Sequence, residues 1–506
     1  MERRQLLKMA PAVGAGLIAA KPAFAVMAEL SNIRQQSVSE SFAQAKRLHP
    51  ELIGFENVND DFERKKLKVE GKIPKDLQGH YYRNGPAKLE RNGIRYQHLF
   101  EGDGMLQHFC IAGGKVTHRG RFIHTPKFSQ EEQAGRFVYS GPETKIANGK
   151  AVVSSNAINT ANTNVIPVGN DLWALWEAGS ATLINAQTLD YLEQVDLGKG
   201  TRYDAKLTGL PFSAHPKVEA NGDIWNFGLH PSGSVVLYHL YPDGKVKNVG
   251  MIDSRYKGGM LHDFLITQKH ILLILPSLKR NLFAKGDGYF SGIEFARHQT
   301  MKVLVIDKHD LTITRQYELP PGFVFHFGNA WEDKQGEIQF DMSLYANVDV
   351  LYQMSNLMTG DSVRDAARAE TVLVTLKKSG EVSTAIMDHG TEFPRVFADE
   401  IGQKSEQLFY VSGNSDSLWS HSVNSLNYQT REISHYDYGR DYFVEEHVPI
   451  KTKAGGHYLM GTALHVPSKR TCLTVFNADN VAHGPVVKAW LSYHLPIGFH
   501  GSFISG

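Results

Sequence analysis

The stretch VVLYHLYPDGKVKNVGMI (Val235–Ile252) carries the pattern that decides the fold. An apolar run ends at a Pro-Asp-Gly turn, and a second run with alternating apolar and polar residues follows it. Asp-Gly between two such runs is typical of a β-hairpin, because Asp and Gly tolerate the backbone conformations that the tight turn requires. The stretch therefore predicts two antiparallel strands.

The same pattern occurs six more times, with Gly-Gly, Ser-Gly or an Asn- or Asp-containing turn, and successive copies begin about 50 to 77 residues apart. A repeated all-β unit of this length has room for about four strands and is typical of a propeller blade. A large sandwich or two separate β domains would explain the even spacing poorly. The sequence thus predicts an all-β, seven-bladed β-propeller. The other copies are LQHFCIAGGKVTHRGRFI (Leu106–Ile123), TLINAQTLDYLEQVDL (Thr182–Leu197), VLVIDKHDLTITRQYEL (Val303–Leu319), VLVTLKKSGEVSTAIMD (Val372–Asp388), HSVNSLNYQTREISHYDYG (His421–Gly439) and LTVFNADNVAHGPVVKAWL (Leu473–Leu491).

Composition and charge exclude several classes of protein. The 506 residues are 42% hydrophobic and 21% charged, as in an ordinary folded protein, and the net charge of +1 argues against nucleic acid as the main partner. Cys110 and Cys472 lie far apart with no CxxC spacing. Two free thiols are therefore expected, rather than a disulfide framework or a thiolate metal site.

The N-terminus resembles an export signal. MERRQLLKMAPAVGAGLIAAKPAFA (residues 1–25) has paired arginines, an apolar run too short to span a bilayer, and a final Ala-Phe-Ala that suits cleavage. This order predicts a twin-arginine type of signal and a periplasmic or otherwise exported protein. An ordinary secretory signal and a disordered basic N-terminus are the alternatives. Twin-arginine export carries folded proteins, so a cofactor is expected.

The rest of the chain is assigned to a polar, helix-compatible arm (residues 26–50) and one propeller domain (residues 51–506). Two segments interrupt the β pattern, residues 127–150 and residues 347–370. The second has apolar side chains at helical spacing and predicts a helix that packs on the core. As insertions between blades, the two segments could form a helical cap over one end of the propeller. The apolar side chains are Val350, Leu351, Met354, Leu357 and Met358.

Four of the 23 histidines recur in apolar contexts at the spacing of the blades. His215, His262 and His326 are separated by 47 and 64 residues, and His500 follows after 174 residues, about three blades. A lone histidine on an apolar strand is more often a core residue than a ligand, but four in phase with the repeat favour convergence at the axis. Four imidazoles suit a borderline divalent metal, and open positions beside them suit dioxygen chemistry at Fe(II).

Metal-bound histidines usually need a carboxylate on the second ring nitrogen. Glu177, Glu392 and Glu446 stand in apolar strand contexts and are the candidates. For each of them a solvent-facing carboxylate is the alternative, and Glu445 competes with its neighbour Glu446.

At this point the chain resembles the carotenoid cleavage oxygenase family over nearly its whole length from about residue 50. The segments that carry the resemblance fall in the family's order and at comparable spacing. They are GHYYRNGPA (Gly79–Ala87), HLFEGDGMLQHF (His98–Phe109), SAHPKV (Ser213–Val218), MLHDF (Met260–Phe264), FHFGNAWE (Phe325–Glu332), EFPRV (Glu392–Val396) and GFHGSF (Gly498–Phe503).

The resemblance implies a seven-bladed propeller with one non-haem Fe(II) per chain. The ion would be held by His215, His262, His326 and His500, with Glu177, Glu392 and Glu446 (or Glu445) supporting three of them. By this reading His262, His326 and His500 have a carboxylate and His215 has none. The implied reaction is oxidative cleavage of a conjugated alkene by O₂ into two carbonyl products, without an acid–base triad. A helical dome, with residues 347–370 as a candidate part, would admit apolar substrates from a membrane.

The family divides between carotenoid or apocarotenoid substrates and stilbene-type substrates. Family frequency favours the former, which is an argument from association. Stilbene cleavage would need polar groups that grip a phenol, for which Tyr96 and Lys127 are the candidates. Two other classes remain open: a non-catalytic propeller that binds a ligand, and an isomerase of polyenes on the same scaffold.

Overall fold

The computed structural model describes residues 37–202, 207–281, 288–361 and 366–506. The predicted signal, residues 1–25, lies outside the described residues and stays a prediction. The α-helices of the described part are α1 (residues 37–48), α2 (Pro126–Ala134) and α3 (Asp349–Thr359). Short 3-10 segments span Pro50–Phe55, Leu99–Glu101, Ser155–Ile158, Ala398–Glu400 and Ala478–His483.

Strands account for most of the regular structure. In chain order the first seventeen are β1 (Phe62–Lys66), β2 (Lys68–Gly71), β3 (Gly79–Lys88), β4 (Glu90–Arg91), β5 (Ile94–Arg95), β6 (Asp103–Ala112), β7 (Lys115–Phe122), β8 (Asn164–Val168), β9 (Asp171–Leu175), β10 (Thr182–Ile184), β11 (Tyr191–Gln194), β12 (Lys217–Val218), β13 (Ile224–Leu229), β14 (Ser234–Leu240), β15 (Val246–Asp253), β16 (Leu265–Ile266) and β17 (His270–Leu275). The others are β18 (Leu278–Arg280), β19 (Ile293–Phe295), β20 (Met301–Asp307), β21 (Ile313–Leu319), β22 (Phe323–Val324), β23 (Ala330–Glu332), β24 (Ile338–Tyr345), β25 (Ala369–Leu376), β26 (Val382–Arg395), β27 (Gln407–Ser412), β28 (Ser422–Asn427), β29 (Ile433–Asp437), β30 (Tyr442–Lys451), β31 (His457–His465), β32 (Arg470–Asn477), β33 (Pro485–Trp490) and β34 (Gly501–Ser505).

The strands form seven antiparallel blades in the described residues, which confirms the predicted propeller. Blades 1 to 4 and blade 7 are separate sheets, in the orders β34-β3-β6-β7-β1, β8-β9-β10-β11, β12-β13-β14-β15, β16-β17-β20-β21 and β30-β31-β32-β33-β2. Blades 5 and 6 share one sheet, because the long strand β26 pairs with β25 through its first part and with β27 through its last residues. Each of the seven predicted hairpins is an adjacent pair of strands in one blade; it is the outer pair in blades 2 to 6, whereas β1 and β2 add a further outermost strand to blades 1 and 7.

Packing between blades explains why middle strands are apolar throughout whereas outermost strands contain polar residues. A middle strand such as β17 (HILLIL) is covered on both faces by neighbouring blades and is buried along nearly its whole length. An outermost strand such as β15 has solvent on one side and alternates between polar and apolar residues. Separate apolar clusters fill the spaces between consecutive blades, for example Leu272 and Val303 of blade 4 with Phe340 of blade 5.

Both ends of the chain close the ring. Strand β34 pairs with β3 in blade 1, and the early strand β2 pairs with β33 in blade 7. The close approach at β34 depends on glycine, because a Cβ at Gly501 would lie 2.6 Å from the carbonyl oxygen of Tyr82. This double closure holds the late residue His500 inside the fold.

The two predicted insertions lie between strands on the same side of the propeller as the histidines. Residues 127–150 follow blade 1 and include most of α2, and the 347–370 segment contains α3. All five apolar residues predicted on the second segment are buried on α3, as the spacing indicated. Of the predicted arm, residues 37–48 form α1, whose Phe42 is buried in the same apolar cluster as α3. Cys110 and Cys472 are both unpaired, as expected.

No helix among the described residues is both long enough and apolar enough to cross a membrane.

Candidate metal centre and substrate cavity

The four predicted histidines meet at the centre of the ring. His215 lies two residues before β12, His262 lies three residues before β16, His326 lies between β22 and β23, and His500 directly precedes β34. Each residue is no more than 8% exposed, and one ring nitrogen from each lies within 4.8 Å of the others. The Nε2 atoms of His215 and His500 are 3.0 Å apart, and those of His262 and His326 are 3.3 Å apart.

Carboxylates fix three of the four rings. Glu392 Oε2 lies 2.5 Å from Nδ1 of His326, and Glu446 Oε1 lies 2.9 Å from Nδ1 of His500. Glu177 Oε1 is in contact with Nδ1 of His262. When Nδ1–H donates to a carboxylate, the lone pair of the imidazole stays on Nε2. The three rings therefore present basic Nε2 atoms to the centre of the group.

His215 differs from the other three histidines. The nearest carboxylate oxygen, Glu177 Oε1, is 3.9 Å from its Nδ1, which is beyond hydrogen-bond distance. Among the described residues neither His215 Nδ1 nor His262 Nδ1 has a hydrogen bond of regular geometry, but only His262 is in direct contact with Glu177. Glu177, Glu392 and Glu446 thus lie beside His262, His326 and His500, the three histidines for which the resemblance to the family implied a carboxylate.

The structure also separates the neighbouring residues Glu445 and Glu446. Glu446 Oε2 accepts the backbone N–H of Gly501 at 2.9 Å, in addition to its contact with His500. Glu445 instead contacts the Arg83 guanidinium and accepts from the Thr462 hydroxyl at 3.0 Å. A bulge in β30 at this point turns the two carboxylates toward different neighbours.

Burial and neighbouring charges shift the pKa values of His215, His326, His500 and Glu446. Burial, reinforced by the other imidazoles, holds the pKa of His215 well below its usual value and lowers that of His500 to about 4. Burial opposes ionisation of Glu446, but Arg395 and His500 outweigh it and lower its pKa to about 2. For His326 the desolvation is outweighed by Glu392, and the pKa of the imidazole is raised.

This donor set fits a metal ion. The Nε2 atoms of His262 and His326, whose Nδ1 atoms contact carboxylates, face each other at 3.3 Å and would repel one another unless a proton or a metal cation lay between them. Imidazole ligands suit Fe, Zn, Cu and Ni, and carboxylates on the second ring nitrogen are usual at such centres.

A second group of potential metal ligands lies among the described residues and consists of Glu219, Asp223 and His239. Lys247 donates to Asp223 and Lys308 donates to Glu219, so the negative charge of this group is already balanced.

A cavity of about 1310 Å³ opens above the histidines. Both insertions contribute to its wall, through residues 140–142 of the first and through Val350 and Met354 of α3. Only the first lies between two blades, as predicted; the second connects β24 and β25, which pair within blade 5, so its prediction as an inter-blade insertion was wrong. Much of the remaining wall is aromatic, as expected of a pocket for an apolar ligand. The aromatic residues include Phe100, Trp176, Phe227, Tyr289, Phe290, Phe325, Phe393, Trp419 and Phe499.

Phe393 is strained where it meets the centre. Its φ of 54° lies in the left-handed region, which is rare for a bulky residue, and its ring stacks on His326 with centroids 5.1 Å apart. Such strain is typical of functional sites, where the surrounding structure holds a residue in place. The sequence marked the EFPRV segment but attached no role to Phe393. Arg395 of the same segment, which lies 3.6 Å from Glu446, was missed as well.

Tyr96 and Lys127 lie together, but neither lines the cavity. Lys127 Nζ donates to the Tyr96 hydroxyl at 2.8 Å, to Asp103 at 2.7 Å and to Glu131 at 2.9 Å. Burial alone would lower the pKa of Lys127, but the two carboxylates raise it, and burial raises the pKa of Tyr96 well above its usual value. The pair is thus part of a buried ionic cluster that fixes α2, which differs from the substrate-gripping position considered from the sequence.

A seven-bladed propeller with four buried histidines at its centre, backed by carboxylates and covered by an aromatic cavity, defines a class of candidate metalloenzymes. The sequence model of the family described as retinal pigment epithelial membrane protein matches residues 55–505. The chain belongs to this family, the carotenoid cleavage oxygenases, which depend on non-haem iron.

Curated relatives and solved structures agree with this membership. The chain is 25% identical to an apocarotenoid-15,15'-oxygenase from Synechocystis, over 89% of this chain and 95% of the relative. It is 24% identical to resveratrol cleavage oxygenase 1 from Aspergillus fumigatus, over 87% of this chain and 92% of that one. The crystal structure of cobalt-substituted Synechocystis ACO superposes with a TM-score of 0.79 at 22% identity, over 90% of this chain and 99% of the other, which supports the fold.

Proposed function

We propose that this chain is an Fe(II)-dependent dioxygenase that cleaves a conjugated C=C bond with O₂ into two carbonyl products. The observation that carries the proposal is the group of four buried histidines, with carboxylates behind three of them, at the floor of an aromatic cavity. One alkene and one O₂ contain all the atoms of two carbonyl products. The reaction therefore needs no reductant and no nucleophilic side chain.

His215, His262, His326 and His500 would hold one iron ion per chain, and the bound ion would activate O₂ next to the alkene. Glu177, Glu392 and Glu446 keep three imidazoles in the tautomer whose Nε2 is free to bind. Aromatic rings pack around the histidines on the cavity side, with the centroids of Phe325 and His262 4.8 Å apart. These rings exclude water and hold a flat conjugated substrate against the centre.

A carotenoid or apocarotenoid is the substrate class that we favour. The cavity of about 1310 Å³ exceeds the roughly 300–1,000 Å³ typical of pockets for compact ligands. The apocarotenoid-15,15'-oxygenase relative, by its name, acts on such a substrate. A stilbene is the second candidate, because another relative is named a resveratrol cleavage oxygenase. Lys127 does not line the cavity, which counts against a role for Lys127 in gripping the phenol of a stilbene.

Cleavage assays with iron-loaded protein test the proposal. We expect that apocarotenals or hydroxystilbenes give two aldehyde fragments, identified by mass, and that ¹⁸O₂ labels the new carbonyl groups. H262A and H326A should lose iron and activity together. Isomerised but uncleaved polyene would indicate the isomerase, whereas ligand binding that survives loss of all four histidines, without any product, would indicate a binding propeller.

We further propose that the protein is exported and that it takes apolar substrate from a membrane surface. The sequence of residues 1–25 supports the first statement, and the apolar cavity supports the second. A reporter fused behind residues 1–25 should reach the periplasm, and its export should depend on Arg3 and Arg4. Sedimentation of the protein with lipid vesicles tests contact with membranes.

A further inference from the structure

The wall of the cavity carries an excess of positive charge. Lys145, Lys257, Arg280 and Arg368 all line it. The acidic residues on the same wall, within the described part of the chain, are Glu177 and Glu392, and both already contact histidines. An apolar cavity with several cations and no uncommitted carboxylate favours a ligand that brings its own negative charge.

Arg280, at the end of β18, is the cation with the best-defined position. Its guanidinium stacks over the ring of Tyr289 at 4.3 Å, and its stem crosses the turn at Gly259, where a Cβ would lie 2.8 Å from Arg280 Cδ. The Tyr289 hydroxyl donates to the carbonyl oxygen of Gly259 and holds the ring in place. Stacking fixes the guanidinium plane and leaves its edge open for the paired hydrogen bonds that carboxylates accept.

The partly buried arginine of the wall, Arg368, is already satisfied. Arg368 donates to the backbone carbonyls of Asn414, at 3.2 Å, and Ser417, which ties down the loop before β28. Lys257 donates to the carbonyl oxygen of Ser232. Arg280, by contrast, makes no hydrogen bond or ion pair with any described residue, and its side chain is exposed. It is therefore the cation with unused donors.

An unbroken series of aromatic rings connects Arg280 to the histidines. The centroids of successive rings are 4.8 to 6.1 Å apart, the Arg280 guanidinium lies 4.3 Å from the centroid of the first ring, and all the rings line the cavity. The series runs from Tyr289 through Phe290, Phe100 and Phe325 to His262. A flat conjugated chain along these rings would place one end at Arg280 and an interior bond at the centre.

We infer that Arg280 binds a carboxylate at one end of the substrate, so that the preferred substrates are conjugated alkenes with an acidic end group. This inference rests on the proposed function for the identity of the conjugated part. The carboxylate could come from a polyenoic acid or from an aromatic, stilbene-type acid. Both have a flat apolar body and an anionic end, and separate probes distinguish them.

Binding without O₂ tests the inference independently of cleavage. Iron-loaded protein is titrated anaerobically with all-trans-retinoic acid and all-trans-retinol, and then with stilbene-4-carboxylic acid and stilbene. Quenching of tryptophan fluorescence reports occupancy, because Trp176 and Trp419 line the cavity. We expect at least one of the acids to bind about tenfold more tightly than its neutral partner, as one charge-assisted contact provides.

R280Q should bring this acid-to-neutral ratio close to one, and added salt should lower the ratio in the unmodified protein. K279Q is the matched control, because Lys279 is the neighbouring residue of β18 and lies 3.1 Å from Glu294. K279Q should leave the ratio unchanged.

The source of the carboxylate follows from which pair of probes shows the preference for the acid: the retinoid pair indicates a polyenoic acid and the stilbene pair indicates an aromatic acid. Equal binding of acid and neutral probes in the unmodified protein, or an acid preference that persists in R280Q, would overturn the inference. Failure to cleave any alkene would overturn only the proposed function.

Discussion

His500 Nδ1 lies 2.9 Å from Glu446 Oε1, although 54 residues separate them and they belong to the first and the last blade. The pair thus spans the seam where the ring closes. Closing the propeller and completing the four-histidine group are therefore one event, because β34 carries His500 into blade 1 beside the strand that carries Glu446 in blade 7.

Replacing Glu446 should weaken metal binding without unfolding the protein. E446Q keeps a similar shape but removes the charge that orients His500, so we expect iron affinity to fall by about 10- to 100-fold. A competition titration with a chelator measures this affinity. E445Q is the comparison: it disturbs the contact with Arg83 and should lower the melting temperature more than the iron affinity. Equal iron affinities for E446Q and the unmodified protein would contradict the assignment of Glu446.

Removing the His500 imidazole should have a different effect from removing the strand. H500A should lose iron but keep a cooperative thermal transition, because β34 still pairs with β3. Deletion of residues 500–506 removes that strand and should lower the melting temperature as well. Metal analysis and calorimetry on both variants separate the two effects. A truncated protein that still holds iron would show that His500 is not a ligand.

The buried ionic cluster of Lys127, Asp103 and Glu131 should stabilise the fold and should not affect substrate choice. K127M leaves Glu131 buried without its cation and Asp103 with Arg91 alone, which costs about 3–5 kcal/mol for a broken buried pair. Chemical denaturation measures the loss. The ratio of kcat/KM for a hydroxystilbene to that for an apocarotenal should not change. A selective loss of stilbene cleavage in K127M would instead support the substrate-gripping role considered from the sequence.

Acid should destabilise the fold through its buried histidines. Burial, with Arg83 and His108 nearby, lowers the pKa of His118 from 6.5 to about 3, and burial likewise lowers the pKa values of His98 and His108 to about 3. The unfolded chain therefore binds more protons than the folded chain in this range. The stabilisation is present above pH 6.5 and is lost as the pH falls toward 3, by about 1.4 kcal/mol per pH unit for each histidine.

Denaturant titrations between pH 7 and pH 4 measure this slope. H118Q should make the slope shallower by about one proton, whereas H309Q, at an exposed turn, should leave it unchanged. An identical slope in H118Q and the unmodified protein would show that His118 does not contribute.

The sequence was sufficient for the architecture because each blade is a local unit. A hairpin such as Val235–Ile252 contains its own turn chemistry and alternation, so seven copies could be recognised and counted without knowing how they meet. The phase of His215, His262 and His326 with that repeat made them candidates for the same reason. Their neighbours in the chain resemble those of the family at each position.

Only the tertiary structure decided what depends on contacts between blades. It distinguished Glu446 from Glu445, because a bulge turns adjacent residues of β30 to different partners. It placed Lys127 behind the cavity wall, where Asp103 and Glu131 engage it, and it brought Arg280 and Tyr289 to the wall. Local patterns fix strands and turns because these depend on neighbours in sequence. The direction and the partner of a side chain depend on residues that are distant in sequence and become neighbours only when the ring closes.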